Sequence, residues 1–300
     1  MVLKKLTNGL INNWGKTNMY KYKVSITHPH GFCALWLKAI SHIDYCNNNE
    51  SEVYIEIIQP DYGAGNLWNK VFEQPFNISE EEAEKLSVAT DFDFIGRNKP
   101  HSDNGGYFQF SYDDGGDRSR FKNEKFLQHY RDIVNNQLIV KQKYVSIVDN
   151  FLTPYSGSKI LGVHKRSREH FTVGHGKGQA EKTSFNKIKS YLEDVSEYDY
   201  IFVMSDETGF YEDMQNLFPK KVIYFDDKSY LDRNNMLDLH RHEYLDEEAR
   251  RNIFDNLISE LLIFARCDKR IMSTSNVIIT SNFFAKNNNF TYYDDDVSYQ

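Results

Sequence analysis

Cysteine is scarce in this chain. Its three copies, Cys33, Cys46 and Cys267, are far apart and odd in number. That excludes a disulfide framework and a CxxC metal knuckle. It suits a reducing compartment, so a cytoplasmic location is expected. No apolar run approaches the roughly 20 residues a membrane-spanning helix needs. The opening Met1-Val2-Leu3-Lys4-Lys5-Leu6 lacks the apolar core of a signal peptide. It reads as a solvated arm, with peripheral contact at a membrane surface as the alternative. Positive charge is not in excess, since 36 Lys and Arg stand against 43 Asp and Glu for a net charge of −7. A non-specific nucleic-acid binder would show a basic stripe instead, so no nucleic-acid partner is expected. No repeat recurs at a fixed period. The segment Gly174-His175-Gly176-Lys177-Gly178 is no Walker loop, because no Lys-Ser/Thr follows its last glycine. It reads as a surface loop, with a flap over a ligand as the alternative.

What is present suits a globular α/β protein. The 300 residues are comfortable for two domains of about 150 residues each. The 20 Tyr and 21 Phe supply large core side chains or flat stacking surfaces, and the core is the default for aromatics. In the first half, Tyr20, Tyr22, Val24 and Ile26 alternate with polar residues and predict a strand over 20–27. Phe32, Leu35, Trp36, Ala39, Ile40 and Ile43 predict a helix over 32–45 with one apolar face. A second strand follows over 53–58, which completes a strand–helix–strand unit. Glycines and polar residues over 96–120 predict a long loop or an irregular hairpin around Tyr107 to Tyr112. Phe126, Leu127, Tyr130, Ile133, Val134 and Leu138 predict one helix over 123–148. Pro154 and Gly157 mark 151–158 as a linker. The second half alternates strands at 159–164, 200–204, 221–225 and 270–272 with helices at 183–195, 209–218, 246–265 and 276–284. Such alternation predicts a parallel, doubly wound sheet. The expected fold class is α/β, with two Rossmann-like domains, 1–150 and 151–300, facing a cleft.

In an open α/β sheet, ligands bind beyond the carboxyl ends of the strands. Three strand ends in the second half carry suitable groups. The first is Gly162-Val163-His164-Lys165-Arg166, continuing through Arg168 and Glu169. The second is Ser205-Asp206-Glu207, and the third is Ser273-Thr274-Ser275-Asn276. The short basic cluster of Lys165, Arg166 and Arg168 suits one anionic ligand better than a long polyanion. Arg166 offers a planar fork for a diphosphate. The hydroxyls and amides opening the last helix favour phosphate, and Asp206 can accept from ribose or base donors. Each group also has a plainer reading. Arg166 can pair with Glu169 at the surface, and His164 can be a packed core histidine. Asp206, Ser273 and Ser275 can be simple helix caps.

The segment Ile160-Leu161-Gly162-Val163-His164-Lys165-Arg166-Ser167-Arg168-Glu169-His170 resembles the strand-end segment of the nodulation, core α-1,6- and protein O-fucosyltransferases. In that superfamily a Gly-(Val/Ile)-His-x-Arg segment ends a strand, and its arginine holds the diphosphate of GDP-fucose. The stretches 200–227 and 260–277 are similar to the family's next strand–acidic turn–helix–strand and to its late helix–strand–serine segment. The first half is similar more loosely, through 31–49 and 66–76. Lys165 and the lack of a glycine-rich opening beyond His30-Gly31 depart from the family pattern.

The resemblance implies the GT-B architecture and a glycosyltransferase of polysaccharide biosynthesis. Its co-substrate would be a nucleotide sugar, with GDP-fucose first and a UDP-sugar as the alternative. No other cofactor and no metal are implied. It carries Gly162, His164 and Arg166 to the donor site, joined there by Asp206, Ser273, Thr274, Ser275 and Asn276. The acceptor, a glycan or a lipid-linked saccharide, would meet the first half near His30 and Asp61. Inverting transfer needs a general base, for which Glu169, His30 and Asp61 are the candidates, Glu169 first. Asp226-Asp227 and Asp294-Asp295-Asp296 read as solvated acidic segments. His240 and His242 face apart on a helix, which weakens a zinc reading. Rival readings are a carbohydrate-binding protein without catalysis and a nucleotide-binding scaffold without transfer.

Overall fold

The computed structural model describes residues 20–27, 31–90, 123–165, 185–192, 195–225, 246–273 and 275–293. The first sheet has the order β2-β1-β3 and is parallel throughout. Its strands are β1 (Tyr20–Ile26), β2 (Ser51–Ile57) and the short β3 (Val88–Thr90). Tyr22, Val24 and Ile26 of β1 are fully buried, as the period-two pattern predicts. The outer edge of β2 is closed by side-chain amides. Asn66 accepts from the Ile57 amide at 3.0 Å and donates to the Ile55 carbonyl at 2.9 Å. Gln74 accepts from the Ile55 amide at 2.9 Å and donates to the same carbonyl at 2.8 Å. These bonds occupy groups that a bare edge strand would offer to another chain.

Helix α1 (Phe32–Asn48) runs three residues beyond the predicted 32–45 and is buried almost all round. The single apolar face expected for it falls short because three neighbours enclose it: the sheet, α4 (Glu124–Gln137) and α9 (Asn276–Phe284). Between β2 and β3 lie a 3-10 turn (Pro60–Tyr62), α2 (Leu67–Val71) and α3 (Glu80–Ala83). The two short helices were not foreseen.

The single helix expected over 123–148 is two helices, α4 and α5 (Gln142–Leu152). Between them Leu138 is extended, Glu73 N–H donates to the Ile139 carbonyl at 2.9 Å, and Lys141 N–H donates to the Val71 carbonyl at 2.8 Å. Pairing with 71–73 replaces the helical bonds, at a β-branched Ile139-Val140 pair that favours extended backbone. The segment 151–158, expected as a linker, carries secondary structure. Phe151 and Leu152 end α5, and a 3-10 turn, Thr153–Tyr155, follows. Phe151 packs edge-on against Phe202 at 5.8 Å, and Tyr155 against Tyr200 at 4.8 Å.

The second sheet runs β6-β5-β4-β7-β8 and is parallel throughout. Its strands are β4 (Ile160–Lys165), β5 (Tyr200–Ser205), β6 (Val222–Ile223), β7 (Lys269–Met272) and β8 (Phe290–Tyr292). Counted from β4, the order is 3-2-1-4-5, the doubly wound pattern expected. β8 was missed, because Asn287-Asn288-Asn289 ahead of it reads as loop. The helices are α6 (Phe185–Ser190), α7 (Thr208–Leu217), α8 (Glu247–Ala265) and α9. Among the described residues no helix is long and apolar enough to cross a membrane.

The two faces of this sheet form separate cores. Leu161, Val163, Ile201 and Val203 meet Ile188 of α6 with Phe210 and Met214 of α7. Ile160, Phe202, Met204 and Met272 meet Ile263 and Phe264 of α8 with Ile278 of α9. The core around the first sheet also takes in Phe254, Ile258 and Leu261 of α8 and Ile279 and Phe283 of α9. The two long helices of the second half therefore join the cores.

Candidate functional site

β4 sits at the centre of the second sheet, and the chain winds outward from it in both directions. The topological switch point therefore lies between β4 and β7. At the carboxyl ends of these strands, Ser273 Oγ lies 3.2 Å from His164 Nδ1. Both residues are buried, and the imidazole meets the Phe264 ring edge-on at 6.3 Å. Helix α9 starts just beyond, with Ser275 as its N-cap accepting from the Ile278 amide at 3.4 Å. The plain capping role foreseen for Ser275 is thus present. Asn276 is the first helical residue and is half-buried. A helix N-terminus, a histidine and two serine hydroxyls together border the switch point.

On the other side, β4 and β5 end together, with Lys165 opposite Ser205 in the ladder. Tyr211 O–H accepts from the Ser205 amide at 2.8 Å and donates to the Ser205 carbonyl at 2.7 Å. Ser205 Oγ accepts from the Glu207 amide at 3.1 Å. The N-cap of α7 is Glu207 and not Asp206, and Glu207 makes no side-chain cap bond. Asp206 lies in this turn, half-buried.

Lys165 differs from its sequence expectation. It was grouped with Arg166 and Arg168 as part of a patch for an anion, yet its ammonium is buried and ion-paired with the Glu207 carboxylate. It also lies 5.5 Å from the centre of the Phe210 ring. Sequence reasoning missed this pair. The available signal was the alternation along β4, which turns Lys165 to the same face as Leu161 and Val163 and towards α7.

Gly162 lies mid-strand, three residues before the end of β4. A Cβ there would come within 2.8 Å of Phe264 Cε2 and 3.1 Å of Cys267 Sγ. Close approach of α8 to the sheet accounts for this glycine without a ligand. Burial pushes the Cys46 and Cys267 thiols up to about 12, so neither is a nucleophile near neutral pH.

The first sheet reaches the same region through α8. Asp268 binds both the amide and the carbonyl of Ile160, while Phe264 covers Gly162, so α8 runs antiparallel to β4. Phe254 is about 15 Å further along the helix, whereas Gly162 to Lys165 spans only about 10 Å. Phe254 therefore stands beyond the carboxyl end of β4. There it meets Phe32 edge-on at 4.8 Å and Tyr62 at 5.6 Å. Phe32 opens α1 after β1, and Tyr62 ends the 3-10 turn after β2, so the carboxyl edges of both sheets converge on one end of α8. Asp61 belongs to that turn and is half-buried. Arg250 of α8 donates to the Pro60 carbonyl beside it at 3.2 Å.

The structure thus brings His164, Ser273, Ser275, Asn276 and Asp206 to one sheet edge, with Asp61 across from α8. Arg166, Glu169, His30 and Thr274 lie outside the described residues, as do 96–120, His175, Asp226-Asp227, His240, His242 and Asp294–Asp296.

This two-sheet arrangement is an α/β fold of GT-B type. No family model matches the sequence, and no curated protein is significantly similar to it in sequence. Among solved structures, the chain is similar to a NodZ alpha-1,6-fucosyltransferase soaked with GDP-fucose, with TM-score 0.54, 14% identity, and 88% of this chain and 93% of the other covered. The fucosyltransferase NodZ from Bradyrhizobium gives TM-score 0.54 and 13% identity over 88% of this chain and 92% of the other. POFUT1 in complex with GDP gives TM-score 0.50 and 11% identity over 93% and 99%. The resemblance carried by the Gly162–Arg166 segment thus extends to the fold of nearly the whole chain.

Proposed function

We propose that this chain is a glycosyltransferase that takes a sugar from a nucleoside diphosphate, with GDP-fucose as donor, and passes it to a glycan or lipid-linked saccharide. The observation that carries this reading is the β4/β7 switch point. There His164, Ser273 and the capped N-terminus of α9 stand where a doubly wound sheet takes its ligand. Fold likeness to structures holding GDP or GDP-fucose supports the choice of nucleotide.

In this reading the second half, 151–300, binds the donor and the first half, 1–150, the acceptor. Transfer is a direct displacement with inversion, in which the acceptor hydroxyl attacks the anomeric carbon as the bond to the diphosphate breaks. Negative charge grows on the leaving phosphate, and fixed donors aimed at it lower the barrier. Arg166 fills that role, with the α9 amides and the serine hydroxyls completing the cradle, so no metal is needed. Asp206 takes ribose or base donors. A carboxylate or imidazole removes the acceptor proton, from Glu169, His30 or Asp61.

The test is thermal stability of the purified protein with GDP, UDP, CDP and ADP, without metal and then with manganese. A ligand at 100 times its dissociation constant stabilises by about 2.7 kcal/mol. Selective stabilisation by GDP without metal is the expected result. Selectivity for UDP changes the donor and keeps the reaction class. No response to any nucleotide, together with a response to glycan, makes the chain a carbohydrate-binding protein.

A further inference from the structure

We propose that Lys165 and Glu207 are a positioning pair for the nucleotide edge, locking the last residue of β4 to the turn between β5 and α7. The inference rests on the nucleotide reading of that edge. Neighbouring residues of a strand point to opposite faces. His164 accordingly turns towards α8 and α9, where it meets Ser273 just after β7 and Phe264. Lys165 turns towards α7, where it meets Glu207 and Phe210. The end of β4 is therefore held on both faces, by the His164–Ser273 contact on one side and an ion pair on the other.

The anchor for the ionic clamp is itself rigid. Glu207 follows a turn in which the Tyr211 hydroxyl bridges both backbone groups of Ser205 and the Ser205 hydroxyl takes the Glu207 amide. The pair is also shielded, with Lys165 exposed by 4% and Glu207 by 24% of their side chains. At that burial the lysine's charge is neutralised inside the fold and is not presented to a ligand. A buried ion pair is seldom more stable than a packed apolar pair of the same volume. Its use here is geometric: the direction of Lys165 is tied to the Glu207 carboxylate, and β4 ends at a fixed point beside the switch point.

The experiment compares GDP affinity by calorimetry and melting temperature for wild type, Lys165→Met/Glu207→Gln and Glu207→Gln. The double variant removes both charges of the pair together, so it separates geometry from folding and from the cost of one unpaired ion. The expected result is a melting temperature near that of wild type with GDP bound roughly tenfold or more weakly, as small displacements of positioned groups produce. Glu207→Gln weakens GDP in the same direction. Wild-type affinity in the double variant overturns the proposal and makes the pair purely structural. Tighter GDP binding by Glu207→Gln also overturns it, by showing Lys165 to be a reserve phosphate ligand. If wild type binds none of GDP, UDP, CDP or ADP, the nucleotide reading itself fails, and the proposal with it.

Discussion

The two ends of the second sheet use similar polar residues for opposite purposes. At the amino-terminal end, side chains are consumed by the backbone. Asp199 accepts from the Lys159 amide at 2.8 Å, and Asp268 from the Ile160 amide at 2.7 Å. Arg270, fully buried, donates to Asn282 at 3.2 Å and to the carbonyls of Cys267 and Asn287 at 3.2 and 2.8 Å. Arg131 from α4 reaches the same segment, donating to the carbonyls of Asn282 at 2.8 Å and Asn287 at 3.0 Å and to Asn288. Burial lowers the pKa of both guanidiniums, that of Arg270 to about 10. Arg270 stays charged at neutral pH and ties β7 to the end of α9, and Arg131 ties α4 to the same segment. At the carboxyl end, by contrast, His164, Ser273 and Ser275 border the switch point, the place where doubly wound sheets in general bind ligands. A buried arginine is no sign of an anion site when carbonyls have taken its donors; the strand end it occupies decides.

That contrast can be broken most forcefully at Arg270. Arg270→Met removes one donor each from Asn282, the Cys267 carbonyl and the Asn287 carbonyl, of which the last keeps Arg131, and an acceptor left unsatisfied inside the fold costs about 1 to 3 kcal/mol. The melting temperature should fall steeply. GDP binding by the fraction still folded should be kept, as read by calorimetry below the transition. Arg166→Ala should do the reverse. It leaves the melting temperature unchanged and removes about 2 to 4 kcal/mol of transition-state stabilisation, the cost of one fixed donor. Comparing kcat/KM for the two proteins measures it, and an unchanged rate would remove Arg166 from the mechanism.

Gly162→Ala sharpens the boundary between the two roles. Its new methyl meets Phe264 and Cys267, so it should cost about 1 to 3 kcal/mol by overpacking. Because the residue lies within the strand, the effect should appear in the melt. A selective loss of nucleotide affinity without a change in melting temperature would return Gly162 to the ligand.

The smallest effect belongs to a contact remote from both ends. His129 Nε2 lies 2.9 Å from Asp44 on α1, which also accepts from Tyr130 at 3.1 Å and Asn48 at 3.0 Å. The Asp44 carboxylate raises the His129 pKa above 6.5, against a smaller effect of burial. A folded pKa raised above the unfolded value gives stability that is complete below the unfolded pKa and fades as pH rises through the folded one. His129→Ala should therefore destabilise at pH 5.5 and converge on wild type by pH 9. Side-chain exposure of 49% keeps the difference small. Parallel melts across that range check it.

Much of the architecture was legible in the chain because the second half punctuates itself. Helix 276–284 matches its prediction, and the strand ends at 164–165, 204–205 and 272 lie where the apolar runs stop. What escaped was decided by tertiary contact. The break between α4 and α5 depends on backbone bonds to 71–73, far away in sequence. β8 is three residues behind an asparagine run, and it forms because β7 offers a free edge. In the site, Ser275 was legible as a cap because a serine stands directly before an apolar helix. The Lys165–Glu207 pair was not, since it joins two separate strand ends and a basic residue beside Arg166 reads as part of a cluster.

The most direct test of the central claim is a crystal structure of the protein with GDP bound. The diphosphate should lie between the carboxyl ends of β4 and β7, against the start of α9 and beside His164 and Ser273. GDP seated at the amino-terminal end near Arg270 and Asp268, or on the first sheet alone, would contradict it.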